Sequence, residues 1–306
     1  MIGVTVRVPA KLNLQLAVGP RRADGYHDLV TVFHAVSLFD EVTVVPAERD
    51  GVAVSGEGAD RVPSDRDNLA LRAVAALRAV LPGGAADRAG VHVTIVKRIP
   101  VAAGLAGGSA DAAAALVACN ELWGGGLGQA QLAEVAATVG SDVAFALLGG
   151  TAVGRGRGER LTPALAPATA YHWVLAFADG QLATPEVYAA LDRLRAAGAG
   201  EPDLDAALMS ALRTGEARLV GRALSNDLQQ AALSLFPPLR KTLAAGLELG
   251  ALGALVAGSG PTCIFLAASA DRALDLAVSL SGAGVCRSVA RVTGPVPGAV
   301  VVPAAK

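Results

Sequence analysis

The sequence predicts an α+β protein with two domains. Its 306 residues correspond to about two domains of ~150 residues each, and 53% of the residues are hydrophobic, which is enough for sizeable cores. Segments in which apolar and polar residues alternate predict β-strands, and alanine-rich segments between them predict helices. Near the end of the chain the order is helix, strand, turn, strand, helix, strand, which is typical of a ferredoxin-like antiparallel sheet with helices on one face.

The chain begins with two predicted strands that are separated by a kink at Pro9-Ala10. Valines alternate with polar residues before the kink and leucines alternate after it, so Lys11 and Asn13 share the face opposite the leucines. The polar face of a half-buried strand is normally solvated. Lys11 and Asn13 are therefore either surface residues or members of a site.

A loop follows in which Asp24-Gly25 is a strong turn signal. The turn places Tyr26 beside His27, and such a pair either stacks on a flat ligand or covers the edge of a core. Further strands are predicted at 29–45 and 51–55, and Asn68 opens a predicted helix.

The most informative stretch spans residues 100–116 and connects a predicted strand to an alanine-rich helix. Its loop contains Gly104, Gly107 and Gly108, and Ser109 is the predicted N-cap of the helix. Backbone N–H groups and the positive end of the helix dipole would then point at an anion such as a phosphate. The stretch lacks the lysine of G-x-x-x-x-G-K-[ST], so a flexible connection is the alternative.

Asp142 is predicted in the first turn of a short helix, after Gly140-Ser141. A carboxylate there complements the positive end of the helix dipole, which is worth about 0.3–1 kcal/mol. The same location favours the ionised form, which a proton acceptor requires.

We place the domain boundary near residue 160, which gives domains at 1–160 and 161–306. The second half is predicted to contain a strand, a helical stretch at 185–197 and an alanine-rich helical middle, followed by the ferredoxin-like tail. Within the tail, Gly258-Ser259-Gly260 is either a hairpin turn or a loop that faces a ligand.

Composition excludes several classes of protein. The net charge is −1, which provides no electrostatic footprint for nucleic acid or an anionic membrane. No apolar run reaches the length of a membrane span, and the first residues predict a strand rather than a signal peptide. The three cysteines are too scattered for a disulfide framework or a metal site, and Cys119 and Cys263 are expected to be buried. We expect a cytoplasmic protein, either a monomer or a homodimer.

Four segments together resemble one family. They are P-A-K-L-N-L (9–14), D-G-Y-H-D-L (24–29), P-V-A-A-G-L-A-G-G-S-A-D-A-A-A (100–114) and A-G-S-G-P-T (257–262). Their order and spacing resemble the GHMP small-molecule kinases, which include galactose, homoserine, mevalonate and phosphomevalonate kinases. P-A-K-L-N-L followed by D-G-Y-H, together with G-S-D-V-A-F (140–145) and G-G-T-A-V-G-R-G-R-G-E (149–159), is similar to the members that act on a cytidine-diphosphate-linked methylerythritol.

The resemblance implies the two-domain GHMP kinase fold, with a ribosomal-protein-S5-like nucleotide domain and a ferredoxin-like domain. It implies transfer of the γ-phosphoryl group of ATP, with Mg²⁺, to the tertiary 2-hydroxyl of that substrate in non-mevalonate isoprenoid synthesis. Asp142 is implied as the catalytic base and Lys11 as its neighbour. The residues implied in substrate binding are Asn13, Tyr26, His27, Thr184 and Tyr188. Those implied in ATP binding are Asn68, Lys97, Pro100, Gly104, Leu105, Ala106, Gly107, Gly108, Ser109 and Ala110.

Some assignments stay open at this level. The metal ligands are unknown, with Ser109 and Asp111 as candidates, and Asp111 is more simply explained by complementing its own helix N-terminus. The alternatives for function are another GHMP small-molecule kinase, a diphosphomevalonate decarboxylase-like enzyme, or a metabolite-binding relative without turnover. The first two should lack D-G-Y-H, because their substrates carry no nucleobase. A pure binder has no need of both Lys11 and Asp142.

Overall fold

A computed structural model of the chain describes residues 3–82, 90–167, 169–195, 198 and 200–303. The strands among these residues are β1 (Val4–Arg21), β2 (His27–Ala47), β3 (Gly51–Gly56), β4 (Gly90–Lys97), β5 (Thr151–Gly156), β6 (Arg160–Pro163), β7 (Tyr171–Phe177), β8 (Ser225–Asn226), β9 (Gly253–Val256), β10 (Cys263–Ala267), β11 (Ser288–Gly294) and β12 (Val300–Val302). The α-helices are α1 (Leu69–Val80), α2 (Gly107–Leu122), α3 (Gln129–Val139), α4 (Val143–Leu148), α5 (Thr184–Leu194), α6 (Ala206–Thr214), α7 (Ala217–Arg222), α8 (Gln229–Leu235), α9 (Leu239–Glu248) and α10 (Ala270–Gly282).

The first sheet is organised around the two long strands β1 and β2. They run antiparallel along nearly their whole length, and the sheet order is β12-β1-β2-β4-β3, with β5 also paired to β2. The register of β1 against β2 shifts between Pro9 and Ala10. Proline has no N–H to donate to the ladder, so the predicted kink is confirmed, although the structure has one strand there instead of two.

Helix α2 is buried on nearly all sides, between this sheet and the helices α1, α3 and α4. Alanines at 112–115 are fully buried, and their small side chains let the helix pack closely against α1, β1 and β2. A helix that is apolar all round belongs in a core. This packing sets the position of the N-terminal end of α2 relative to β1 and β2.

The second sheet has the order β11-β7-β10-β9, and all its pairings are antiparallel. With its helices this is the ferredoxin-like layout, so that prediction is confirmed. Val174 and Phe265 pack in one cluster with side chains of α9 and α10, whereas Trp173 and Leu266 on the opposite face join the main core. The second sheet therefore packs onto the first half of the molecule.

Several predicted details of the elements were wrong. Ser109 is not the N-cap of α2, because the helix begins at Gly107 after Ala106, which is left-handed at φ 58°. The predicted helix at 185–197 ends at Leu194, and Ala196 and Ala197 lie outside the described residues. The short strands β6, β8 and β12 were not predicted.

Both β8 and β12 pair with β1, although they follow residue 160 in the chain. The second half of the chain thus contributes two short strands to the first sheet. The boundary at residue 160 stays a prediction. Cys119 and Cys263 are buried as expected. In the described part of the chain, no helix combines the length and the apolar character of a membrane-spanning segment.

Candidate active site

A cavity of about 960 Å³ lies between the first sheet, the start of α2 and helix α5. Most of the sequence-predicted site residues line it. These are Lys11, Asn13, Tyr26, His27, Asn68, Lys97, Pro100, Gly104, Ala106, Gly107, Gly108, Ser109, Asp142, Thr184, Tyr188, Gly258 and Ser259. Leu105 and Ala110 are instead buried in the core, and Gly260 is not part of the cavity wall.

Lys11 and Asp142 meet at the centre of the cavity. The Lys11 Nζ atom lies 3.8 Å from Asp142 Oδ2, and the Lys11 side chain is 10% exposed. Asp142 directly precedes α4, but its side chain does not cap that helix. The carboxylate is therefore free to contact a ligand, with the lysine as its neighbour.

Asn13 is held in one orientation beside this pair. Alternation along β1 places Asn13 on the same face as Lys11, and Lys11 Nζ donates to Asn13 Oδ1 at 2.6 Å. Asn13 Nδ2 donates to Thr31 Oγ1 at 2.8 Å, and the Thr31 hydroxyl donates to the Gln15 carbonyl oxygen. Thr31, which the sequence did not indicate, thus fixes which end of the amide faces the lysine.

The glycine loop before α2 packs against the segment 257–260, which contains Gly258-Ser259-Gly260 and is called the third motif. Gly104 has φ +77°, and a Cβ atom there would lie 2.0 Å from the carbonyl oxygen of Ala257. Only glycine combines this conformation with so close an approach. The loop ends at the N-terminus of α2, where unpaired N–H groups and the helix dipole favour an anion.

The third motif also reaches the centre of the cavity. A Cβ atom on Gly258 would lie 3.4 Å from both Lys11 Nζ and Asn13 Oδ1. Asn226 Nδ2 donates to the carbonyl oxygen of Gly258, and Ser259 Oγ lies 2.9 Å from Thr184 Oγ1 at the start of α5. The motif is therefore more than a hairpin, because it connects α5 to the centre of the cavity.

One end of the cavity is lined by aromatic rings. Tyr26 is exposed, with the guanidinium group of Arg157 5.0 Å from its ring centroid. His27 is buried, and its ring centroid lies 5.1 Å from that of Tyr188. Burial raises the pKa of the Tyr188 hydroxyl, and the negative charge of Asp142 raises it further. Tyr188 thus connects the aromatic end of the cavity with the centre.

Lys97 lies below the glycine loop and forms ion pairs with two buried carboxylates. Its Nζ atom is 2.5 Å from Asp40 Oδ2 and 2.7 Å from Asp111 Oδ2. Burial alone would lower the Lys97 pKa, but Asp111 and Asp40 outweigh this effect and raise the pKa. Burial raises the pKa of Asp111 to about 8, against the opposing effect of Lys97. The sequence did not predict this ion-pair cluster. Asp111 lies beyond the first turn of α2, so its expected role at the helix N-terminus is wrong. Contact of Lys97 with a nucleotide stays a prediction.

Asn68 also has a structural role. Its Oδ1 atom accepts from the Ala70 N–H at the start of α1, and its Nδ2 atom donates to the Pro63 carbonyl oxygen. Both ends of the amide are thus paired with the backbone, as expected for an N-cap. Contact of Asn68 with a nucleotide stays a prediction.

Two family descriptions match the chain. The GHMP kinases N terminal domain matches residues 68–150, which include the glycine loop and Asp142, and the GHMP kinases C terminal domain matches residues 208–286. The predicted class of protein and its fold are therefore confirmed, and the protein is an ATP-dependent small-molecule kinase.

Comparison with individual relatives identifies the family of the chain within the GHMP kinases. A Thermobifida fusca protein named 4-diphosphocytidyl-2-C-methyl-D-erythritol kinase is 57% identical over 98% of each chain. A Mycolicibacterium smegmatis protein of the same name is 57% identical over 98% of this chain and 93% of its own. A crystal structure of 4-(cytidine 5'-diphospho)-2C-methyl-D-erythritol kinase is 37% identical, with a TM-score of 0.75 over 94% of this chain and 98% of its own. The chain belongs to the GHMP kinases and, within them, to the family of 4-diphosphocytidyl-2-C-methyl-D-erythritol kinases.

Proposed function

We propose that the protein transfers the γ-phosphoryl group of ATP to the 2-hydroxyl of 4-diphosphocytidyl-2-C-methyl-D-erythritol, in non-mevalonate isoprenoid synthesis. The observation that carries the proposal is the meeting of Lys11 and Asp142 in the same cavity as the glycine loop. One side of the cavity thus offers a phosphate site, and the centre offers a proton acceptor beside a cation.

In the proposed reaction Asp142 receives the proton of the attacking hydroxyl. A tertiary alcohol is a far weaker acid than a carboxylic acid, so the carboxylate does not deprotonate it in advance. Phosphoryl transfer passes through a loose transition state in which the attacking oxygen has gained little charge. Asp142 therefore orients the hydroxyl and takes the proton late in the reaction, while Lys11 offsets negative charge on the transferring group.

The remaining predicted residues hold the two substrates in line. N–H groups of the glycine loop and the α2 N-terminus bind the ATP phosphates, and Asn13, fixed by Thr31, orients the acceptor alcohol. The cytosine lies between the rings of Tyr26 and Tyr188, next to His27, at the aromatic end of the cavity. Thr184, bonded to Ser259, lies between that end and the centre.

Mg²⁺ is proposed to enter with ATP. No group of three or more His, Cys, Asp or Glu among the described residues could hold a metal ion, which fits a cation bound mainly by phosphates and water. Ser109 lines the cavity, so its hydroxyl is the one protein oxygen we assign to the ion. Asp111 is not assigned, because it is paired with Lys97 and burial raises its pKa to about 8. The ion would neutralise charge on the β- and γ-phosphates.

ATP use also leads us to propose a cytoplasmic location. Assembly as a monomer or a homodimer stays a prediction.

The proposed role of Asp142 is tested with Asp142→Asn. We expect kcat with the cytidine substrate to fall by about 10²–10⁴-fold, because the amide cannot accept the proton. The dissociation constant for ATP should stay within about threefold, since the glycine loop is untouched. Glu134→Gln, an exposed change on neighbouring α3 that removes the same charge, is the control and should have the wild-type rate.

A panel of acceptors tests the substrate. Cytidine-diphosphate methylerythritol, mevalonate and homoserine are each supplied with ATP, and ADP release is measured. Activity on mevalonate or homoserine alone would refute the proposal in favour of a sister kinase. Asp142→Asn with most of the wild-type rate would show that another group accepts the proton.

A further inference from the structure

The aromatic end of the cavity contains a contact to which the proposed function assigns no role. The Nε2 atom of His27, the first residue of β2, lies 2.8 Å from Oδ1 of Asp192 in the last turn of α5. The His27 side chain is 5% exposed and that of Asp192 is 36% exposed. Both residues line the large cavity.

The contact determines which ring nitrogen of His27 carries the proton. An ionised carboxylate can only accept a hydrogen bond, so the bond requires a proton on Nε2. In the neutral imidazole Nδ1 is then an acceptor. Among the described residues, no hydrogen bond is made to His27 Nδ1, which leaves this atom for a molecule in the cavity.

The orientation of the imidazole is fixed as well. Tyr188 precedes Asp192 by one helical turn on α5, and its ring packs against His27 with an interplanar angle of 35°. One helix thus supplies both the carboxylate that anchors Nε2 and the ring that supports the imidazole face. The imidazole cannot turn its Nε2–H towards the cavity without breaking the bond to Asp192.

We propose that Asp192 is a positioning residue that holds His27 with Nδ1 as an acceptor, so that the site selects cytosine over uracil. Cytosine presents its exocyclic amine, a donor, at the position where uracil presents a carbonyl oxygen. Uracil would therefore place one acceptor against another and leave both without a donor, at a cost of about 10- to 100-fold in binding. The inference rests on the proposed function, because it assumes a cytidine-diphosphate substrate.

The first test is independent of turnover. Nitrogen-15 NMR of the ligand-free protein distinguishes protonated from unprotonated ring nitrogens, and the chain has only 4 histidines. We expect His27 to have a protonated Nε2 and an unprotonated Nδ1 in the wild type and in Asp192→Glu, which keeps the carboxylate. In Asp192→Asn the amide can present either its oxygen or its NH₂ group to Nε2, so both tautomers should be populated.

The second test compares the cytidine-diphosphate substrate with its uridine counterpart. For Asp192→Asn we expect KM for the cytidine substrate to rise about 10-fold or more, with kcat within about twofold, since the reacting atoms are untouched. The preference for cytidine over uridine should fall by a similar factor, and Asp192→Glu should restore most of it. Glu186→Gln, an exposed change of the same charge on α5, is the control and should leave both unchanged.

The outcomes separate this inference from the proposed function. A wild-type protein that phosphorylates the cytidine substrate but has a proton on His27 Nδ1, or that uses the uridine counterpart equally well, would overturn the inference alone. A fall in kcat without a change in KM for Asp192→Asn would also overturn it. A wild-type protein that does not phosphorylate the cytidine substrate would overturn both.

Discussion

Replacement of Lys97 by methionine tests the ion-pair cluster below the glycine loop. The side chains of Lys97, Asp40 and Asp111 are 1%, 0% and 4% exposed, respectively. Methionine fills a similar volume but leaves two carboxyl groups in the core without a cation. Breaking a buried ion pair by removing one partner costs about 3–5 kcal/mol of the free energy of unfolding, which corresponds to a fall of about 10 °C in the thermal midpoint.

The stability loss of Lys97→Met should depend on pH, and the direction of this dependence can be predicted. Without the lysine, nothing opposes the burial that raises the pKa of Asp111, so this carboxyl group holds its proton more strongly in the native state than in the unfolded chain. The unfolding free energy therefore rises as the pH falls, so the deficit of Lys97→Met should be largest near pH 8 and smaller near pH 5. Urea unfolding followed by circular dichroism at both pH values measures it.

Two variants serve as controls for the lysine replacement. Asp111→Asn leaves a one-to-one pair of Lys97 with Asp40, so we expect a loss of only about 1 kcal/mol. In the wild type the pKa of Asp111 is raised from 3.8 to about 8, so the native state holds an extra proton in that window and stability falls as the pH rises through it. Asp111→Asn should remove this slope.

Lys241→Met, an exposed change on α9, should cost less than about 0.5 kcal/mol. A loss below 1 kcal/mol for Lys97→Met at pH 8 would refute the reasoning.

Two further predictions concern the glycine loop and the cysteines. Gly104→Ala would place a methyl group against the carbonyl oxygen of Ala257 in a left-handed conformation, so we expect KM for ATP to rise at least about 10-fold and stability to fall by about 2 kcal/mol or more. ATP titration measures the first effect, and unchanged ATP binding would contradict the close contact. Burial raises the thiol pKa of Cys119 and of Cys263 to about 12, whereas Cys286 is only half-buried. A thiol reagent at pH 8 should therefore modify Cys286 first and the other two only after unfolding, and equal rates for all three would contradict their burial.

The parts of the cavity that follow from local patterns could be predicted from the sequence. Period-two alternation in β1 places Lys11 and Asn13 on one face, and the turn at 24–25 places Tyr26 in a loop. The glycine loop before α2 was recognised from its residues alone. The N-cap was wrong because Ala106 takes up a left-handed conformation, which alanine rarely adopts and which no local pattern indicates.

The residues that the sequence did not indicate act through partners far away in the chain. Asp40 pairs with Lys97, and Asp192 with His27, only after two separate elements have packed together. Asp40 nevertheless left a signal, because it lies in the middle of the strand predicted at 29–45, and a carboxylate that is buried there needs a partner. The strands β8 and β12 are too short to show alternation and exist only because the edge of β1 is available to them.

The contact between Gly104 and Ala257 makes the two loops one unit. Each backbone occupies the space into which a side chain of the other would project, so neither loop can be redesigned while its counterpart stays fixed. For chimaeric enzymes assembled from halves of different family members, the two loops have to come from the same parent or be re-matched as a pair. Sequence changes that enlarge one loop have to be accompanied by compensating changes in the other, even though the two loops are far apart in the sequence.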